Sequence, residues 1–104
     1  MVYRILTLNN ISARGLTRLP AEHYEVAAKL DRPDGILVRS ADMQSMPLPD
    51  SLLAVARAGT GTNNIPVAAL SKRGIPVFTA PGANANAVKE LVLAGLLLAA
   101  RNIC

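Results

Sequence analysis

Two short stretches carry the side chains with chemistry to offer. In Arg57-Ala58-Gly59-Thr60-Gly61-Thr62-Asn63-Asn64 a guanidinium leads into a glycine-rich turn, and in Arg39-Ser40 a second guanidinium stands beside a hydroxyl. Glycines in such a turn admit positive φ and leave main-chain N–H groups uncovered by side chains, so an anionic oxygen can approach Thr60, Gly61 and Thr62. The apolar run Leu52 to Ala56 before the turn reads as a buried strand, and Ile65 to Lys72 after it reads as a helix. The donors are therefore expected near a helix N-terminus, which favours negative charge. The chemistry on offer is the holding of an anion. Two plainer readings stay open at this level: a GxG turn imposed by sheet geometry, and Arg39 as a solvated residue at a strand end.

The same stretch excludes two nucleotide motifs. A P-loop requires Lys after its last glycine and a dinucleotide fingerprint requires a third glycine downstream, whereas Gly61 is followed by Thr62, Asn63 and Asn64. Cys104 is the only cysteine and the last residue, so no intrachain disulfide forms and no Cys-based metal site is expected. His23 is also alone, as a solvated residue would be. With 11 Lys and Arg against 7 Asp and Glu the formal charge is +4, but the basic residues are dispersed and only 3% of residues are aromatic. That combination speaks against nucleic acid and for a small anionic substrate. The N-terminal Met1-Val2-Tyr3-Arg4-Ile5 lacks the basic region, apolar core and cleavage site of a secretory signal, so a cytoplasmic location is expected. Asn10-Ile11-Ser12 is a glycosylation sequon, chemically idle without a secretory route.

The elements that must position these groups alternate along 104 residues, one domain's worth, of which 51% are hydrophobic. Val2 to Leu8 reads as a first strand ending at the turn-forming pair Asn9-Asn10, and Ser12 as N-cap of a short helix over Ala13 to Leu19 that Pro20 closes. Tyr24 to Ala27 is a second strand. Lys29 to Asp34 is too short and polar for a full crossover helix. Gly35 to Val38 then runs straight into Arg39-Ser40, placing a cation and a hydroxyl at the C-terminal end of a central strand, where open parallel sheets bind their ligands. Asp42 to Asp50 is a loop whose Met43 and Met46 cover the core. Pro66 suits a first helical turn, Lys72-Arg73-Gly74 a basic last turn with a glycine stop, and Ile75 to Thr79 a strand in which Pro76 favours an edge. Asn84 or Asn86 can cap a final helix over Ala87 to Ile103, apolar all round, too short to span a bilayer and in need of partners on every side. The alternation predicts an open parallel sheet flanked by helices.

ILVRSA, ARAGTGTNNIPVAALSKRGIPVF and APGANANAVKELVLAGLLLAAR together resemble the N-terminal part of the D-3-phosphoglycerate dehydrogenases, a branch of the D-isomer-specific 2-hydroxyacid dehydrogenases. With the weaker similarity of the first two strands, the resemblance spans essentially residues 1–104. It implies a flavodoxin-like substrate-binding domain whose final helix, residues 84–103, is the hinge toward an NAD-binding Rossmann domain. It also implies roles: Arg39 and Ser40 near the substrate, Arg57 near the phosphate of 3-phosphoglycerate, Thr60 and Gly61 holding the carboxylate, Thr60 also reaching the nicotinamide, and Asn84 contacting substrate. The full-length enzyme is then an NAD-dependent oxidoreductase of L-serine biosynthesis and a homo-oligomer. The family's catalytic Arg, Glu and His lie downstream of the segment, so this chain alone is expected to be inactive. Many relatives carry Asp at the position of Asn63 and a fuller crossover than Lys29 to Asp34. Two rivals remain: a dehydrogenase for another D-2-hydroxy acid, and a non-catalytic flavodoxin-like module that binds an anion or pairs through its Leu-rich helix.

Overall fold

In the computed structural model, which describes residues 2–9, 11, 13–82 and 85–101, five segments become strands. They are β1 (Tyr3–Leu8), β2 (Tyr24–Ala27), β3 (Gly35–Val38), β4 (Ala54–Arg57) and β5 (Val77–Phe78); the helices are α1 (Ala13–Leu16), α2 (Val67–Lys72) and α3 (Ala85–Ala100). All neighbouring strands pair in parallel, in the order β2-β1-β3-β4-β5. This is the expected open parallel sheet, in the flavodoxin-like strand order. β3 lies at its centre, so Arg39 and Ser40 do leave the end of the central strand.

Register explains the core. Leu6, Ile36, Val55 and Val77 lie in one row across four strands, and because side chains alternate faces they point the same way as Val38. Leu6, Ile36, Val38 and Val55 are buried there with Met43, Leu52, Ile65, Leu70 and Ile75. Neither the segment between β2 and β3 nor that between β3 and β4 forms a helix, so the cover is supplied by side chains of irregular chain, with α2 beside them. Leu30, Met46 and Leu48 pack against this core, and Met43 is fully buried within it, as expected for a loop methionine. The opposite row, Thr7, Leu37, Ala56 and Phe78, contains no buried residue, and Phe78 is 58% exposed.

Element boundaries depart from expectation at identifiable bonds. β4 begins at Ala54 rather than Leu52, since the Leu52 N–H donates to Pro49 O and the Leu53 N–H to Asp34 O. Arg57 is consequently the last strand residue, paired with Val38, and not part of the turn. β5 keeps only two residues; Pro76 offers no N–H and the Ile75 N–H is drawn to Leu70 O. It is the edge strand that the proline favoured. α1 ends at Leu16 in a tight turn, where the Arg18 and Leu19 N–H groups reach back only three residues, to Gly15 O and Leu16 O. α2 starts at Val67, two residues late, behind Pro66. Its end is as expected: Gly74 at φ 72 donates to Ser71 O while Ile75 donates to Leu70 O, the paired bonds of a Schellman stop, with Ile75 and Leu70 both buried.

α3 begins at Ala85, so Asn86 is not its cap but an interior residue whose side-chain N–H donates to Glu90. Asn84 and the Ser12 cap fall outside the described residues. No residue of α3 is buried, and Leu91, Leu96 and Leu97 are each more than 60% exposed. The radius of gyration is 17.1 Å, against about 13 Å for a compact domain of this length. α3 therefore stands off the sheet. No helix among the described residues is long and apolar enough to cross a membrane.

Candidate functional site

Parallel strands all end at one edge, and here that edge collects the residues singled out by type. β3 ends in Arg39-Ser40, β4 ends in Arg57, and the glycine turn follows directly. The strand order reverses between β1 and β3, so this is also the switch point beyond which such sheets form a ligand crevice. Arg39, Ser40, Thr60 and Gly61 are exposed, and Arg57 is half-buried.

Arg57 lies across the turn instead of pointing away from it. Its Nε donates to Arg39 O at 2.7 Å and its Nη1 to Gly61 O, so one side chain ties the end of β3 to the glycine turn. The two acceptors are carbonyls, which leave the guanidinium its full charge. Among the described residues the ion pair found is Arg4 with Glu25 at the far side of the sheet, and no carboxylate pairs with Arg39 or Arg57. The edge is therefore electropositive and able to attract an anion. Asp42, three residues from Arg39 in sequence, accepts the Gln44 N–H at 2.8 Å.

Glycine serves here in two ways. Gly59 takes the positive φ expected of the turn, at 159, a value that side chains rarely adopt, whereas Gly61 does not. What matters is the missing Cβ: on Gly61 it would come within 2.9 Å of Arg57 Nη1, so glycine makes room for the guanidinium. The N–H groups of Thr60, Gly61 and Thr62 donate to no acceptor among the described residues. They are the uncovered donors that the turn promised. The helix contribution is corrected, however: α2 starts five residues after Thr62 and has only 6 residues, and the intervening turn is closed by Ile65 N–H to Thr62 O. The turn itself, not a helix N-terminus, supplies the donors.

Sequence reasoning missed the side chains that lace this edge. Asn9, read only as a turn former, sits at φ 70 and its Oδ1 accepts the N–H groups of Ser40, at 2.9 Å, and Ala41. Asn64 donates from Nδ2 to Ala41 O at 2.9 Å and Arg39 O at 3.1 Å, and its own carbonyl accepts the Met43 N–H. Gln44 donates to Asn63 O and Ile65 O. The signal was the run of amide side chains just past two strand ends, residues suited to bonding main chain. A cavity of about 320 Å³ lies elsewhere, lined by Leu6, Leu30, Pro33, Met46 and Leu48 under the helix-free crossovers, and includes none of the edge residues. Among the described residues no group of His, Cys, Asp and Glu is placed to hold a metal.

Comparison with known proteins bears on the chain as a whole. Residues 7–96 match the family model of the D-isomer specific 2-hydroxyacid dehydrogenase catalytic domain. A D-3-phosphoglycerate dehydrogenase of Mycobacterium leprae is 39% identical over 85 residues, which are 79% of this chain and 16% of that protein. One from Methanocaldococcus jannaschii is 36% identical over 94 residues, 88% of this chain and 17% of the other. One from Escherichia coli K12 is 44% identical over 54 residues, 52% of this chain and 13% of its own length. The chain thus spans about a sixth of the curated relatives it matches. With most of its length matched and the parallel sheet in place, this chain belongs to the D-isomer specific 2-hydroxyacid dehydrogenases, as part of their catalytic domain.

Proposed function

We propose that residues 1–104 form the substrate-binding segment of an NAD-dependent D-2-hydroxyacid dehydrogenase, and that the substrate is 3-phosphoglycerate, oxidised at C2 to 3-phosphohydroxypyruvate on the way to L-serine. The observation that carries this reading is the convergence, at one edge of the sheet, of two guanidinium groups without carboxylate partners and a turn of uncovered N–H donors. The names of the relatives point the same way.

The substrate has an anion at each end, and the edge offers a different donor for each. Backbone N–H groups of Thr60 and Gly61 suit a carboxylate, and the Arg57 guanidinium suits a phosphate. Arg39, Ser40 and Asn84 complete the substrate set in this reading. Holding both ends leaves C2 a single orientation, which is the contribution of positioning to rate. Residues 84–103 act as the hinge whose closure excludes water.

The dinucleotide does not fit this chain's own turn, because Gly61 leads into Thr62-Asn63-Asn64 and no helix begins until Val67. A pyrophosphate cradle of strand, glycine turn and helix is not formed. When bound, NAD supplies the hydride acceptor, and its binding is assigned to sequence beyond these 104 residues, with Thr60 alone at the shared border. The chain by itself is then inactive, and its location is that of a soluble metabolic enzyme, the cytoplasm. The whole enzyme is a homo-oligomer in this reading.

The test is a titration of the chain with 3-phosphoglycerate, D-glycerate and D-lactate, followed by NMR at the backbone amides. The expected result is movement of Arg39, Ser40, Thr60, Gly61 and Thr62, with the phosphorylated ligand bound about tenfold more tightly, the worth of one charge-assisted hydrogen bond. Arg57→Ala should remove that preference. Equal binding of all three ligands would move the assignment to another D-2-hydroxy acid. Silence at the turn with every ligand would leave a non-catalytic module.

A further inference from the structure

The segment Arg39 to Ala41 is exposed or nearly so, yet four of its main-chain polar groups are occupied by side chains from neighbouring loops. The N–H groups of Ser40 and Ala41 both donate to Asn9 Oδ1, which projects from the end of β1. The carbonyls of Arg39 and Ala41 both accept from Asn64 Nδ2, which projects from beyond the glycine turn, and Arg39 O also takes the Arg57 Nε–H at 2.7 Å. An irregular stretch of chain after a strand is ordinarily bonded to water and free to move. This one is held from both sides, by Asn9 at the end of β1 and by Arg57 and Asn64 at and beyond the end of β4.

Each asparagine bears a cost that packing alone does not explain. Asn9 holds a φ of 70, a conformation that L side chains rarely adopt though asparagine tolerates it best. Asn64 buries its Oδ1 with no hydrogen-bond partner, while both Nδ2 hydrogens are used. We infer that Asn9 and Asn64 are positioning residues that fix the Arg39–Ala41 main chain, so that the Arg39 guanidinium and Ser40 hydroxyl are presented to the bound anion in a preset geometry. This rests on the substrate-site reading above and extends it to two residues that do not themselves touch the ligand.

The two act by opposite chemistry. Asn9 serves through its oxygen, as an acceptor, and Asn64 through its nitrogen, as a donor. An aspartate keeps the first ability and loses the second. Amide hydrogen exchange of the chain, followed by NMR, reads this directly. Asn9→Ala should speed exchange of Ser40 and Ala41 about tenfold, and Asn9→Asp should restore the slow rate. Asn64→Ala and Asn64→Asp should both weaken 3-phosphoglycerate, about tenfold, and Asn64→Ala, which also removes the orphaned Oδ1, should keep a thermal midpoint near that of the parent. Arg73→Ala, which frees Leu48 O and Pro49 O but touches neither asparagine nor Arg39–Ala41, controls for general loosening and should leave affinity within twofold.

Unchanged exchange at Ser40 and Ala41 in Asn9→Ala, or unchanged affinity in both Asn64 variants, would overturn the inference. Exchange that follows the acceptor rule in a chain that binds no 3-phosphoglycerate would instead overturn the substrate reading while upholding the ties.

Discussion

On one face of the sheet Leu6, Ile36 and Val55 lie sealed beneath Met43, Ile65 and Leu70; on the other, the matching row of Thr7, Leu37, Ala56 and Phe78 has no buried member, and neither has α3. Both rows come from the same strands, so the contrast arises from what crosses over them. Parallel sheets are ordinarily covered on both faces. Here the crossovers around β3 lack helices, yet they close one face through Met43, Leu52 and Leu30, while four-residue α1 cannot close the other. The lesson is that a helix is not required to bury a strand, only apolar side chains delivered at the right register. Stability of this chain resides on the closed face, and the open face and α3 contribute little to it.

The contrast can be broken most sharply by truncating one residue from each side. Ile36→Ala, at 1% exposure, should cost about 3 to 4 kcal/mol in urea denaturation, and Leu91→Ala, at 73% exposure, no more than about 0.5 kcal/mol. Equal losses would mean that α3 is packed in solution. Glycines offer the next test, with opposite signs expected. Gly74→Ala places a Cβ at φ 72 in the stop that seats Ile75 and should destabilise by about 1 kcal/mol. Gly95→Ala, in mid-helix with open space around it, should raise α3 helicity by circular dichroism, worth about 0.8 kcal/mol locally, without moving the urea midpoint. A shifted midpoint would tie α3 to the closed core. The smallest effect is expected at the Arg4–Glu25 pair, 3.1 Å apart but substantially exposed on both sides, where Glu25→Gln should change stability by about 0.5 kcal/mol or less.

The strands were legible because four of them are apolar runs bounded by turn residues; β2 and β3 coincide with expectation to the residue. Boundaries failed where a single N–H had a better acceptor off the ladder, as Leu53 has in Asp34 O and Ile75 in Leu70 O. No periodicity reveals such competition between acceptors. The candidate site was legible in its charges and its turn, since Arg39, Arg57 and the glycines are conspicuous by type. Its lacing was not: an asparagine after a strand looks the same whether it bonds its own turn or, as Asn9 does, a segment 31 residues away. The meaning of Gly61 was hidden for the same reason, because it is set by where the Arg57 side chain comes to rest.

Met43 gives the closed face a chemical clock. Its thioether is fully buried at 0% exposure, its N–H is bonded to Asn64 O, and it lies two residues past the laced segment, whereas Met46, three residues on, is partly open to solvent. Peroxide should therefore convert Met46 to its sulfoxide first, and can reach Met43 only when the chain after β3 lifts from the sheet. Once oxidised, a polar sulfoxide inside the core would keep that chain from settling back. Oxidative damage at one loop methionine would thus unseat the Arg39 end of the site with every charged side chain still chemically intact.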